Sequence, residues 1–85
     1  MKQFEYVIKD ELGVHARPAG LLVKKAKEFE SEIVITKGEK SANAKKLIAL
    51  MGLAIKQGER ITVKISGEDE DKAAAEMEQY LLEIL

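Results

Sequence analysis

Residues 13–20 read Gly13-Val14-His15-Ala16-Arg17-Pro18-Ala19-Gly20. This run holds the only histidine and the only proline of the chain. Proline is at home in the first turn of a helix, where its missing N–H leaves nothing unpaired. Beyond it, Ala19, Leu22, Val23, Ala26 and Phe29 recur at three- and four-residue steps. That spacing predicts a helix from Pro18 to about residue 29 with one apolar face. Upstream, Asp10 to Gly13 reads as a turn-rich loop, in which Gly13 is free to take a positive φ. Before that loop, Phe4, Tyr6 and Ile8 alternate with Gln3, Glu5 and Val7, the pattern of a half-buried strand over residues 2–8.

Working outward in the other direction, residues 32–37 (EIVITK) are rich in β-branched side chains and predict a second strand. Lys37-Gly38-Glu39 marks a turn into a short edge strand near residues 40–43. A short helix fits residues 45–54. Ile61, Val63 and Ile65 then alternate with Thr62, Lys64 and Ser66 as the plainest strand in the chain. Asp69, Glu70 and Asp71 put negative charge where a helix macrodipole favours it, ahead of an apolar stripe of Ala73, Ala74, Met77, Leu81 and Ile84. The order is β-α-β-β-α-β-α. It predicts an α+β fold with a largely antiparallel sheet, helices on one face and water on the other. The first six elements also fit a ferredoxin-like order, so periodicity alone leaves two topologies.

The bulk numbers bound the function. The 85 residues make one domain, 1–85, with little room for a deep pocket. Cysteine is absent, which removes disulfides, thiolate metal sites and a thiol nucleophile. No charged leader precedes an apolar run and no such run approaches about 20 residues, so a cytoplasmic chain without membrane insertion is expected. Residues 15–56 hold nine Lys/Arg against four Glu, a balance of +5, while residues 57–85 hold three against eight acids, −5. The charges either mix over a solvated surface or make a basic face that steers acidic protein partners. With no Trp, two Tyr and two Phe, nucleic acid is poorly served and is not expected as a partner.

A lone histidine is usually structural, but these neighbours change its meaning. His15 precedes a helix start at which the N–H groups of Ala16 and Arg17 would lack intrahelical partners. Such a terminus binds anions, and Arg17 adds a planar cation suited to phosphate oxygens. Nucleophile, anion cradle and an exposed position thus share one turn. With a single histidine and no ligand cluster, neither a metal site nor another cofactor is expected. A Ser/His/Asp hydrolase would need more scaffold for a cleft and an oxyanion hole.

The run GVHARPAG resembles the phosphorylation motif of the HPr phosphocarriers of the bacterial sugar phosphotransferase system. The likeness extends through ANAK at 42–45, the stretch LIALMGL and Gly67-Glu68-Asp69-Glu70, and so over essentially the whole chain. The resemblance implies the open-faced β-sandwich, a four-stranded antiparallel sheet with three helices on one face, in place of the ferredoxin-like order. It implies that His15 takes a phosphoryl group on Nδ1 from enzyme I, charged by phosphoenolpyruvate, and passes it to a sugar-specific enzyme IIA. Arg17 matches the phosphate-site arginine. Such a protein is a covalent relay, expected as a monomer, rather than a turnover enzyme.

The helix at 45–54 carries Leu47, Ile48, Leu50, Met51, Leu53 and Ala54, too many apolar groups for one buried face. Either the core contact is wide, or Leu47, Ile48 and Met51 form an exposed docking patch. The family docks its partners beside the histidine, which favours the patch. Gly20 would let a partner backbone approach, and Lys24, Lys27, Lys45 and Lys46 would form a charged rim. Lys46 also marks a departure, because many Gram-positive relatives carry a regulatory serine there, and lysine cannot take its phosphate. Three other readings stay open: a paralogue in nitrogen-related or regulatory phosphotransfer, an interaction domain that is never phosphorylated, and a small phosphate-binding enzyme of ferredoxin-like fold.

Overall fold

The computed structural model describes residues 1–85. The elements run β1 (Lys2–Val7), α1 (Ala16–Ala26), β2 (Glu32–Lys37), β3 (Lys40–Asn43), α2 (Leu47–Met51), β4 (Arg60–Ser66) and α3 (Glu70–Ile84). The four strands form one antiparallel sheet in the order β1-β4-β2-β3. Strand β4 therefore sits between β1 and β2, and the fold is the open-faced sandwich and not the ferredoxin-like alternative.

The register explains which face is covered. Phe4 and Tyr6 pair with Val63 and Ile61 on one side of β4, and Ile33 and Ile35 pair with Ile65 and Val63 on the other. Strand residues two apart share a face, so these side chains form one apolar layer. Leu22, Ala26, Leu50, Ala73, Met77 and Leu81 descend on it from the three helices and are buried with it in a single core. Each fully buried aliphatic side chain contributes about 1.5–3 kcal/mol. Glu5, Thr62, Lys64 and Thr36 face the opposite, open side.

Helix α1 starts two residues before Pro18 and ends three before Phe29, which reaches the core from a turn. The larger correction is α2. It has five residues instead of the ten expected over 45–54, and only its Leu50 is buried. Lys45 lies ahead of it, and Leu53 and Ile55 enter the core from the chain that follows. Ala54 adopts φ 49°, outside the helical region, and is exposed. The apolar content that reads as helix is thus loop that packs.

Two polar features of the fold are testable. Tyr6 lies in the core layer and its hydroxyl has no hydrogen-bond partner. Burial pushes that phenol upward from its ordinary value. An unpaired buried hydroxyl costs about 1–3 kcal/mol, so Tyr6→Phe should raise the unfolding midpoint, by about 4–8 °C for each kcal/mol recovered. A midpoint that stays put or falls would show the hydroxyl to be paired in solution.

Asp69 precedes α3, but its carboxylate does not cap that helix. It crosses to the α1–β2 connection, accepting the N–H of Glu30 (2.9 Å), the N–H of Ser31 (3.0 Å) and the hydroxyl of Ser31. The Ser31 hydroxyl and the Glu30 N–H hold the Asp69 carboxyl below its usual range. A carboxyl lowered on folding adds stability that is fully present above its unfolded value of about 4 and is lost as pH falls through the folded one. Asp69→Asn should therefore melt below the parent at neutral pH, with the gap closing in acid. A gap that persists unchanged at about pH 2 would assign the effect to packing.

Candidate functional site

His15 is the N-cap residue of α1, with φ −95° and ψ −174°, and its side chain makes no capping bond. Its position is set from below. Gly13 has φ 68°, and its N–H donates to the Asp10 carbonyl at 3.0 Å. The next N–H, that of Val14, donates to the Ile55 carbonyl at 2.9 Å. A Cβ on Gly13 would run into the Ile55 carbonyl oxygen and come within 2.8 Å of the Lys56 Cα. The loop therefore presses backbone to backbone on the segment after α2, and only glycine allows both the φ and the approach. The side chain of Val14 is buried and anchors the turn, while His15, the next residue, is left 38% exposed.

At the helix start the His15 carbonyl accepts the Ala19 N–H at 2.9 Å. Pro18 has no N–H, and the N–H groups of Ala16 and Arg17 make no hydrogen bond within the chain. Two adjacent donors thus stand free at the positive end of an 11-residue helix, next to the imidazole. Arg17 is exposed and forms no ion pair within the chain. The imidazole sits in an open depression of about 260 Å³ lined by Asp10, His15, Arg17, Pro18, Leu21 and Ile84. Asp10, Leu21 and Ile84 do not emerge from the sequence reading. Asp10 is an acid in the same loop and could have been found there, whereas Ile84 arrives from α3 through the fold alone.

Gly20, Lys24 and Lys27 follow Arg17 along the outer side of α1, and a Cβ on Gly20 would meet nothing within 4 Å. On α2, which packs beside α1, Leu47 is 39% exposed, Ile48 84% and Met51 38%. The expected charged rim is smaller than its sequence. Lys45 is half-buried, and its Nζ donates to the Phe29 carbonyl at 2.7 Å, so it ties down the segment after α1 instead of facing a partner. Lys25 is spent between Glu76 (3.0 Å) and Glu28 (3.3 Å), and Lys37 on Glu59 and the Ala54 carbonyl. Lys24, Lys27 and Lys46 remain exposed without an internal ion pair. Lys46 is the N-cap residue of α2 and gives it no side-chain cap.

Comparison with known proteins gives a consistent result. The family described as "PTS HPr component phosphorylation site" matches residues 2–83. The phosphocarrier protein HPr of Lysinibacillus sphaericus is 45% identical over 84 residues, covering 99% of this chain and 96% of that one. A solved mycoplasma histidine-containing phosphocarrier superposes with a TM-score of 0.93 at 39% identity, over 96% of this chain and 93% of its own. The Bacillus subtilis catabolite-repression protein Crh, solved as a swapped dimer, matches with a TM-score of 0.78 at 35% identity, covering 100% of this chain and 98% of that one.

Proposed function

Because the chain belongs to the HPr phosphocarrier family, we propose that it relays a phosphoryl group through His15, accepting it on Nδ1 from phosphorylated enzyme I and handing it to a sugar-specific enzyme IIA. The observation that carries this reading is the half-buried but accessible imidazole at the start of α1, beside two N–H donors with no other partner. Donors already aimed at a site need no reorganisation when an anion arrives, and the helix dipole adds to them. Ala16 and Arg17 hold the phosphoryl oxygens. The whole chain works as one monomeric carrier in the cytoplasm. It is covalently loaded and unloaded and turns over no substrate of its own.

Docking falls to the surface beside His15. Leu47, Ile48 and Met51 offer the apolar centre, and Met adapts to more than one partner. Lys24 and Lys27 supply the positive rim, and Gly20 leaves room for a partner backbone. Lys46 leaves α2 without a hydroxyl for a serine-directed off-switch.

Incubation with phosphoenolpyruvate and enzyme I tests the relay. The expected product is one acid-labile phosphoryl group per chain, seen by intact mass. No mass gain under conditions that load a known HPr would overturn it. Arg17→Ala should slow single-turnover acceptance by about 10–10²-fold, because this cation meets charge in transit. Its effect on the dissociation constant for enzyme I should stay within about threefold, as for a rim charge. A loss confined to affinity would make Arg17 a docking cation only.

A further inference from the structure

Asp10 is the one carboxylate in the depression around His15, and no residue of the relay described above explains its placement. Its Oδ1 lies 4.0 Å from the His15 Nε2, with both side chains about one-third exposed. It is not a swinging surface acid. Oδ1 accepts the Leu12 N–H at 2.8 Å, the Asp10 carbonyl accepts the Gly13 N–H at 3.0 Å, and the Asp10 N–H donates to the Leu85 carbonyl at 2.9 Å. The carboxylate is therefore pinned on both sides of its own Cα. The His15 N–H donates in turn to the Gly13 carbonyl at 3.1 Å, so imidazole and carboxylate ride on the same short, braced turn. The other charged group of the depression is Arg17, from α1; α3 contributes only the apolar Ile84.

We infer that Asp10 is a positioning residue that keeps the neutral imidazole protonated on Nε2 and so leaves the lone pair on Nδ1. The inference rests on the relay reading for its use, but the tautomer is a property of the free protein. A carboxylate facing one ring nitrogen favours the proton there, since that N–H dipole is the one it attracts. At 4.0 Å the attraction is Coulombic and is not a hydrogen bond. The transfer balances without moving a proton. The Nδ1 lone pair forms the new N–P bond, the bond between phosphorus and the donor breaks, and that electron pair leaves with the donor. The Nε2 proton stays in place, so the loaded ring carries positive charge at the edge that faces Asp10. The phosphoryl group brings negative charge of its own, so Asp10 is assigned the position of the proton and not the extent of loading. Two unit charges 4.0 Å apart in a water-like medium interact by a factor of about five, which is the ceiling for the weaker charge–dipole preference in the neutral ring.

Asp10→Asn tests this, because the amide oxygen can still accept the Leu12 N–H while the charge is gone. Two readouts are needed. Nitrogen-15 NMR of His15, at a pH where the ring is neutral, should show the Nε2–H form dominant in the parent and the Nδ1–H share raised in the variant, by up to about fivefold. Backbone amide shifts from Ala16 to Ala26 should coincide in the two proteins, which separates positioning from local unfolding. An unchanged tautomer ratio overturns the inference, whatever the transfer does. A shifted tautomer ratio in a chain that enzyme I never loads upholds the placement of the proton and overturns the relay instead.

Discussion

His15→Ala is expected to fold like the parent and to accept no phosphoryl group. The fold half of the result follows from what the side chain does not do. It caps no helix, and its carbonyl, which does bond the Ala19 N–H, survives the change. Replacing a surface side chain that makes no capping bond usually stays within about 0.5 kcal/mol, which is a few degrees in the midpoint of so small a protein. The functional half follows from there being no second imidazole and no cysteine to take its place. Intact mass after incubation with enzyme I and phosphoenolpyruvate checks the loss, and a thermal melt checks the fold. Full loading of the variant would end the relay reading. A folded, unloaded variant that still binds enzyme I with parental affinity would separate chemistry from docking, as the arrangement of His15 on α1 and the patch on α2 implies.

Ile48→Asp is expected to weaken binding to both enzyme I and enzyme IIA by about 10–10²-fold, with little change in stability. Ile48 is the most exposed large apolar residue of the chain, at 84%, and it sits on a helix whose only buried residue is Leu50. A charge there stays hydrated in the free protein. In a complex it must be stripped of water against an apolar partner surface, and desolvation at the centre of an interface is where binding energy is lost. Leu50→Asp is the contrast, because it would bury a carboxylate in the core and should abolish folding. Calorimetric titration and thermal melts of the two variants decide the matter. An unfolding midpoint that collapses in Ile48→Asp, or affinities that do not move, would remove Leu47, Ile48 and Met51 from the docking surface.

The contrast within α2 shows where sequence reading stops. Leu47, Ile48, Leu50, Met51, Leu53 and Ala54 read as one helix, because composition does not say which of them leave the helix to pack. In the fold, Leu53 and Ile55 fill the core from an irregular segment, and Ala54 breaks the helical path with a positive φ. The same limit applies to charge. Lys24 and Lys45 look alike in sequence, yet one stays in water and the other ties down the segment between α1 and β2 through the Phe29 carbonyl. Asp69 reads as a helix-start acid and turns out to clamp Glu30 and Ser31.

What the sequence determined by itself was local. Period-two alternation in Phe4-Tyr6-Ile8 and Ile61-Val63-Ile65, and three-to-four spacing through α1 and α3, are set by backbone geometry that each segment carries with it. Pro18 likewise marks the first turn of α1, which makes the free N–H groups of Ala16 and Arg17 readable from residues 15–18 alone. The tertiary structure decided everything that depends on residues far apart in the chain. The placement of β4 between β1 and β2 has no local signature, because all three strands offer the same alternating face. The approach of Ile84 to His15, and the burial that divides Leu50 from Ile48, come from how α3 and α2 settle on the completed sheet. Local torsional preferences repeat over a few residues and can be read in order. Core packing selects among many compatible arrangements by the total apolar surface it removes from water, and no single segment contains that sum.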